Sequence, residues 1–292
     1  MRLEGRGGLS SSFETAASPP PQDEDVVDNI HSLRLIGAMH RLAAALACSL
    51  MLCPPAAAMV GGAPAVQGGV SLHEVMVLSG RGNLCTGIVL AQDLVLTAAH
   101  CIDPELAYKL YELDAARKPT FRDVAKVVVH PQFSKQTFAA NRATADVALL
   151  KLAEPLPAKF SPATLATPRP RVALGEKFIV AGYGVTVRGD NNTAGVLRHA
   201  TLAATGVPGN IQLRLYDPAT KGEMPGLGAC TGDSGGPVYE NRGGQFVVYG
   251  VVSWSTAPKA EDGCGGLTGI TPLELYLGWI RETARKLGSP LP

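Results

Sequence analysis

One short stretch has the composition of a turn that presents a single reactive hydroxyl group. Residues 232–237 read Gly-Asp-Ser-Gly-Gly-Pro. Glycine reaches backbone conformations that a Cβ forbids, so glycines on both sides allow a tight turn around Ser234. The N–H groups of Gly232 and Ser234 can then point at one spot and bind a developing oxyanion. The stretch predicts a nucleophilic serine with its own oxyanion hole.

A serine hydroxyl is a weak nucleophile by itself, because it needs a base to take its proton and a third group to orient that base. His100 lies in the run Leu-Thr-Ala-Ala-His-Cys at 96–101, and Asp146 opens the run Asp-Val-Ala-Leu-Leu-Lys-Leu at 146–152. Taken singly, such a histidine is usually structural and such an aspartate is usually a surface residue. Together with the serine stretch they predict a general base and its orienting carboxylate.

The three stretches together resemble the histidine, aspartate and serine motifs of the trypsin-like, chymotrypsin-fold serine proteases. The chain order, His100, Asp146 and Ser234, is that of chymotrypsin rather than that of subtilisin or the α/β-hydrolases. The resemblance covers residues 59–287. It implies that Ser234 attacks a peptide carbonyl, that His100 acts as the base and that Asp146 fixes the imidazole. The expected activity is that of a serine-type endopeptidase, a peptide hydrolase that works through an acyl-enzyme intermediate.

The same resemblance implies an all-β fold with two six-stranded antiparallel Greek-key β-barrels and a C-terminal α-helix. The 33 glycines, the 22 prolines and the low charged fraction of 17% suit a strand-and-turn protein better than a helical bundle. Apolar runs between Gly, Pro and Asn turns predict strands at 74–78, 86–90, 94–97, 124–129, 147–152, 178–181, 197–203, 211–215, 246–253 and 266–271.

Two further features complete the predicted architecture. Residues 155–170 contain five prolines and are expected to link the two barrels. Thr271, Pro272 and Glu274 form the signature of a helix start, with Thr271 as the N-cap. An apolar stripe then follows at helical spacing, so the sequence predicts a terminal helix that packs against the core.

The run Ser253-Trp254-Ser255 resembles the family strand that pairs with an extended substrate backbone, a form of β-strand addition. By resemblance, Ser253 also hydrogen-bonds Asp146. Ser255 stands where the family usually has glycine, and it is expected to narrow the entrance of the substrate pocket.

The expected base of the substrate pocket carries no acidic residue. Gly228, followed by Ala229, occupies the position that holds an aspartate in trypsin-type enzymes. Cleavage after small or medium apolar residues is therefore the prediction. The alternative is that Glu261 or Asp262, in the loop before Cys264, reaches the pocket and restores a preference for basic residues.

Six cysteines divide between an apolar N-terminal segment (Cys48, Cys53) and the rest of the chain. The resemblance implies two disulfides, Cys85–Cys101 beside the histidine and Cys230–Cys264 beside the serine loop. Zinc binding is the rival interpretation, but the cysteines lack Cys-x-x-Cys spacing. Disulfides favour an oxidising compartment.

The N-terminal region has the layout of a secretory signal. Residues 1–38 are either a disordered extension or lie upstream of the true start, and residues 39–58 combine a basic start, an apolar run and a small-residue cleavage site. The peptidase domain is then expected at 59–292. Cleavage after Ala58 would free the α-ammonium of Met59, which the resemblance pairs with Asp233.

The expected setting is that of a secreted or periplasmic monomer acting on protein or peptide substrates. No cofactor and no metal are expected, because Glu112 and Asp114 do not form a recognisable calcium site. A net charge of +1 gives no electrostatic case for nucleic acid or for an anionic membrane surface. No stable membrane association is expected once the signal is removed. The alternative function is that of a catalytically silent protease-fold binding protein.

Overall fold

Two closed barrels, each of six antiparallel strands, contain the strands of the described part of the chain. The computed structural model describes residues 59–63, 65, 72–113, 118–169, 171–206 and 211–292. The extension and the signal peptide predicted at 1–38 and 39–58 lie outside these residues. The predicted all-β, double-barrel architecture is confirmed.

The first barrel has the order β1-β2-β3-β6-β5-β4, because β3 pairs with β6 and β1 closes onto β4. Its strands are β1 (Glu74–Ser79), β2 (Leu84–Ala91), β3 (Leu94–Thr97), β4 (Tyr108–Leu113), β5 (Pro119–Val129) and β6 (Ala148–Leu152).

The second barrel repeats this non-sequential order as β7-β8-β9-β12-β11-β10. Its strands are β7 (Lys177–Gly182), β8 (Arg198–Ala204), β9 (Leu213–Tyr216), β10 (Pro237–Arg242), β11 (Gln245–Ser255) and β12 (Leu267–Pro272). The proline-rich segment predicted as a linker lies between β6 and β7. A short helix, α1 (Lys135–Ala139), precedes β6, and α2 (Leu277–Lys286) follows β12.

Alternation along the strands sorts the apolar side chains into separate cores. On β3, Val95 packs inside the first barrel, whereas Leu94 and Leu96 face a cluster shared with the second barrel and with Ile280 of α2. Both faces of β3 are therefore buried, which explains its unbroken apolar sequence. Burial of each such side chain contributes about 1.5–3 kcal/mol to stability.

The terminal helix exists, but the start predicted for it is wrong. Thr271 and Pro272 end β12, where they pair with Val251 and Gly250 of β11. A 3₁₀ turn (Glu274–Tyr276) then leads into α2. The strand pairing satisfies backbone groups over a longer stretch than one cap does, so tertiary pairing overrides the local capping signature.

Two strands were missing from the sequence prediction. β4 has the alternating sequence Tyr-Lys-Leu-Tyr-Glu-Leu, and β10 begins at Pro237, inside the serine stretch. Proline fits the first position of a strand. The glycines before Pro237 and the polar residues at 240–242 conceal β10 in the sequence.

A buried carboxyl group connects the two barrels. Glu74 on β1 is fully buried, and its Oε1 accepts a hydrogen bond from the Tyr239 hydroxyl on β10 at 2.5 Å. The hydroxyl of Tyr183 donates to the backbone oxygen of Glu74 at 3.3 Å. Burial raises the pKa of Glu74 from 4.5 to about 8, so the folded state favours the protonated acid at neutral pH.

Replacing Glu74 with glutamine should make stability less dependent on pH. Because the folded-state pKa lies above the unfolded value, the stabilisation from the bound proton is complete below pH 4.5 and is lost as the pH rises through about 8. We expect the wild-type free energy of unfolding to decline over this range by a few kcal/mol from this group. Urea titrations at several pH values, with Ser234→Ala in both proteins to prevent autolysis, measure the difference. Parallel declines in the two proteins would contradict the expectation.

Candidate active site

His100 and Asp146 meet because the strands that carry them are neighbours in the first barrel. A 3₁₀ turn after β3 holds His100, and Asp146 lies two residues before β6. β3 and β6 pair at Thr97 and Ala148, which brings together two residues that are 46 positions apart.

The Asp146 carboxylate is almost fully buried and accepts three hydrogen bonds. Its Oδ1 accepts from the backbone N–H of His100 at 2.8 Å. Its Oδ2 accepts from Nδ1 of the His100 ring at 2.8 Å and from the Ser253 hydroxyl at 2.5 Å. These three donors hold the carboxylate in place, and through its bond to Nδ1 it fixes both the position and the tautomer of the imidazole.

Thr86 on β2 connects the first barrel to the serine loop of the second. Its backbone N–H donates to the Ser234 carbonyl at 2.8 Å, and its hydroxyl donates to the Gly232 carbonyl at 2.8 Å. The adjacent residue Cys85 forms a disulfide with Cys101, next to His100. β2 therefore anchors both the histidine turn and the serine loop.

The serine loop begins with a tight turn at Gly232. The Asp233 N–H donates to the Cys230 carbonyl at 3.0 Å, and Gly232 has a φ of 96°. A positive φ at the third residue of a hydrogen-bonded turn is the signature of type II. A Cβ on Gly232 would also lie 2.9 Å from the Gly184 Cα. Turn type decides which way the Thr231–Gly232 peptide faces, so glycine here controls the direction of an N–H group.

Most of the residues predicted to act together line one cleft of about 320 Å³ between the barrels, but Asp146, Gly228 and Ser253 are not among its lining residues. The first barrel contributes His100, and the second contributes Gly232 and Ser234. The other lining residues are Asn83, Leu84, Cys85, Cys101, Ala229, Cys230, Thr231, Val252, Trp254 and Ser255.

Comparison with known proteins agrees with this arrangement. The Trypsin family model matches residues 59–280. Trypsin V-B from Rattus norvegicus is 31% identical over 75% of this chain and 89% of its own length. Snake venom serine protease rhinocerase 4 from Bitis rhinoceros is 30% identical over 71% of this chain and 80% of its own. The chain belongs to the trypsin family. It is a serine-type endopeptidase, and its substrates are proteins.

The trypsin-family chain has a second buried carboxyl group behind its serine loop. Asp233 is fully buried, and its two oxygens accept from the backbone N–H groups of Gly184 and Cys230, each at 2.8 Å. Burial raises its pKa to about 7. Met59 is also buried, and the next residue, Val60, pairs with Gly228.

Both disulfides that the resemblance implies are present. The second, Cys230–Cys264, closes the serine loop, and Gly228 and Ala229 lie immediately before Cys230. The Ala229 N–H donates to the Thr268 hydroxyl at 3.0 Å, and a Cβ on Gly228 would lie 3.4 Å from that oxygen. Thr268 is fully buried. It therefore lies against both residues of the predicted pocket base. The sequence prediction left it out because the register of β12 could not be read without its pairing.

The acidic pair offered as an alternative pocket base lies elsewhere. Glu261 and Asp262 line a neighbouring cavity and are not among the residues that line the cleft. Asp262 pairs with Arg188 at 2.8 Å.

Phe138 is a site residue that sequence reasoning missed. Its ring stacks on the His100 imidazole with centroids 4.5 Å apart and planes within 11°. It lies on α1 between the histidine and aspartate motifs, where several other aromatic residues also occur, so the sequence gives no signal that singles it out. The stack covers one face of the imidazole and limits its rotation.

Potential metal ligands among the described residues gather at Cys85, His100 and Cys101. Both sulfurs belong to a disulfide, so they offer no thiolate to a metal. Of the helices in the described ranges, none has the length and apolar character needed to cross a bilayer.

Trp254 lies flat over the sheet because Gly269, its partner on β12, has no side chain. A Cβ on Gly269 would lie 1.9 Å from Cε2 of the Trp254 ring. Gly269→Ala should therefore push the ring out into solvent. The sequence has two tryptophans, so fluorescence in a Trp279→Phe background reports Trp254 alone. We expect a red-shifted emission, whereas Gly278→Ala, in open space on α2, should change nothing. Unchanged emission in Gly269→Ala would contradict this placement.

Proposed function

We propose that the chain is a secreted serine endopeptidase that cleaves peptide bonds through an acyl-enzyme on Ser234. His100 is the general base, Asp146 holds its orientation, and the N–H groups of Gly232 and Ser234 form the oxyanion hole. The observation that carries the proposal is the buried, triply hydrogen-bonded Asp146 carboxylate, which holds His100 at the cleft that Ser234 also lines.

Two proton transfers through His100 complete the reaction. The Ser234 oxygen attacks the peptide carbonyl while Nε2 of His100 takes the hydroxyl proton. The tetrahedral intermediate collapses as His100 gives that proton to the leaving amine, which leaves the acyl group on Ser234. Water then attacks the ester while His100 takes a proton from it, and His100 returns that proton to the Ser234 oxygen as the carboxylic acid product departs. Asp146 holds the imidazole in place and stabilises the imidazolium that forms.

Each oxyanion donor should lower the barrier by roughly 2.7–4 kcal/mol, because it is already oriented before charge develops. The type II turn at Gly232 supports this role, since it fixes the direction of the Gly232 N–H. The buried contacts of Asp233 support the same loop from behind.

The substrate backbone adds to a free edge of β11. β10 pairs with β11 only as far as Val251, whereas β12 continues to Ser255. Ser253, Trp254 and Ser255 therefore have a strand on one side only within the described structure. An extended peptide can pair with the open side, which favours peptides over small esters.

The side chain before the scissile bond enters the end of the cleft that Ala229 and Ser255 line, beside Gly228. This pocket suits small or medium apolar side chains, because buried Thr268 blocks its depth and no acidic residue lines the described cleft. The hydroxyl of Ser255 donates to the Gly263 carbonyl at 3.2 Å, and this contact holds it at the entrance.

Secretion and activation follow from the N-terminal layout. Removal of a signal peptide after Ala58 would expose the α-ammonium of Met59, which then pairs with Asp233. Because Asp233 is a fully buried carboxyl with a raised pKa, a nearby cation would favour its charged form. Signal cleavage itself would complete the active loop. The two disulfides agree with an oxidising destination.

The mature protein is proposed to act as a monomer, without cofactor, metal, nucleic acid or membrane. The alternative is a silent protease-fold binding protein. Such relatives usually lack a triad member, whereas His100, Asp146 and Ser234 are all present here.

An active-site phosphonate should attach once to the secreted protein and not at all to Ser234→Ala. The expected result follows because only Ser234 supplies the attacking oxygen. Intact mass measures the adduct, and the same spectrum shows whether the chain begins at Met59. A labelled Ser234→Ala protein would rule out this nucleophile. No adduct on a folded chain that begins at Met59 would favour the binding-protein alternative.

A peptide-library profile should show cleavage after small or medium apolar residues and at least about tenfold weaker cleavage after Arg or Lys. A buried cation without a partner costs several kcal/mol, and 1.4 kcal/mol already corresponds to tenfold. Gly228→Asp combined with Thr268→Gly, which reopens the depth, should raise cleavage after Arg or Lys, whereas Gly228→Asn with Thr268→Gly, similar in size but uncharged, should not. A wild-type profile dominated by Arg or Lys would overturn the pocket assignment.

A further inference from the structure

A second cavity of about 420 Å³ adjoins the cleft and shares Trp254 and Ser255 with it. The remaining lining residues are Phe138, Asn141, Arg142, Gln212, Arg214, Thr256, Ala260, Glu261, Asp262 and Leu267. Because the shared residues belong to the free edge of β11, a peptide paired with that edge reaches this cavity as it leaves the cleft.

One wall of this cavity is formed by three residues that lie side by side on neighbouring strands of the second barrel. Trp254 on β11 pairs with Gly269 on β12, which pairs with Arg214 on β9. The Trp254 ring lies over Gly269, and the Arg214 guanidinium carbon is 5.9 Å from the ring centroid. The tryptophan face therefore already has a cation beside it.

The other wall comes from the first barrel. Arg142 follows α1, and its backbone N–H donates to the Thr137 carbonyl at 3.0 Å. The preceding residue, Asn141, has a φ of 55°, which ends the helix and directs the chain along the cavity rim. Two exposed arginines from different barrels thus border one cavity.

The charges around this cavity do not cancel. Arg142 and Arg214 form no ion pair with any acid among the residues that the structure describes. Asp262 is paired with Arg188 at 2.8 Å, which leaves Glu261 as the one acid of the cavity lining without an ion pair in the described structure. Two arginines against one carboxylate leave the cavity positive.

We propose that this cavity selects an acidic side chain in the substrate, two to four residues before the scissile bond. The inference rests on the proposed function, since it assumes that the substrate pairs with β11. Side chains of an extended strand alternate in direction and advance about 3.4 Å per residue. The positions that face the cavity are therefore among the three that precede the residue in the Gly228 pocket. The carboxylate of the substrate's acidic side chain lies between Arg142 and Arg214, whereas a lysine side chain at the same position is repelled by both guanidinium groups.

The test uses quenched fluorescent peptides that share one cleavage site and differ at one position. Glu, Gln or Lys is placed at the second, third or fourth residue before the scissile bond, or at the second residue after it. Wild-type kcat/KM should favour Glu over Gln by about 3- to 10-fold at one of the three preceding positions, and Lys should be worst there. The preference should shrink when salt rises from about 0.05 M to about 0.5 M, because the charges are exposed.

Arg142→Gln with Arg214→Gln should reduce the ratio of Glu to Gln to within about twofold. Arg285→Gln, an exposed arginine on α2, is the matched control and should keep the wild-type ratio. A preference for Lys, equal rates for Glu and Gln, or a ratio unchanged in the double variant would each overturn the proposal. So would an acidic preference confined to the second residue after the scissile bond.

Binding to Ser234→Ala separates this proposal from the proposed function. Fluorescence anisotropy with the same peptides, labelled at one end, needs no turnover. Glu peptides should bind about 3- to 10-fold more tightly than Gln peptides, and the difference should vanish in the double arginine variant. Selective binding by Ser234→Ala together with a wild-type protein that cleaves none of the peptides would support the cavity and refute the acyl-enzyme, whereas wild-type cleavage with unselective binding and unselective rates would do the reverse.

Discussion

The cleft depends on the position of one buried residue, Thr86. Its N–H and its hydroxyl donate to the Ser234 and Gly232 carbonyls, its hydroxyl accepts from the Tyr183 N–H at 3.1 Å, and its carbonyl accepts from the Thr97 hydroxyl at 2.8 Å. A fully buried polar residue must have its hydrogen bonds satisfied inside the protein. Here the partners come from both barrels. These hydrogen bonds of Thr86 therefore fix the position of the serine loop relative to β3, the strand that precedes His100.

Close contact around this residue explains the glycines of the serine loop in more detail than turn propensity does. A Cβ on Gly235 would lie 2.1 Å from the Thr97 hydroxyl, and one on Gly236 would lie 2.3 Å from the Ala181 carbonyl. Gly235 therefore lets the two barrels approach each other, and Gly236 lets the serine loop lie against β7 of its own barrel. The stretch predicted to carry the nucleophile is thus also a packing motif. The same glycines satisfy the backbone geometry of the turn and the close contacts around it.

The sequence predicted the parts of the site that lie in contiguous motifs. The histidine, aspartate and serine runs each carry their own local signature, and the double barrel follows from the family resemblance. Thr268, Phe138 and Arg214 were not predicted, because their importance comes from strand register and from contacts between distant segments. The helix start at Thr271 failed for the same reason: pairing of β12 with β11 is a tertiary effect that a local cap signature does not reveal.

Each disulfide in the described chain joins two points within a single barrel, so none bridges the two halves. The segment between β6 and β7 is the covalent connection, yet the end of the chain returns to the first barrel. There Ser289 donates to Asp93 at 2.6 Å, and Lys151 contacts both residues. If the chain were cut once between the barrels, the result would be a two-chain protein. The two chains would still be joined by the contacts of Ser289 with Asp93 and Lys151, by the Glu74–Tyr239 hydrogen bond and by the hydrogen bonds of Thr86. An endopeptidase is exposed to cleavage by other copies of itself. Such a cut would break the chain but would not separate the two barrels that form the cleft.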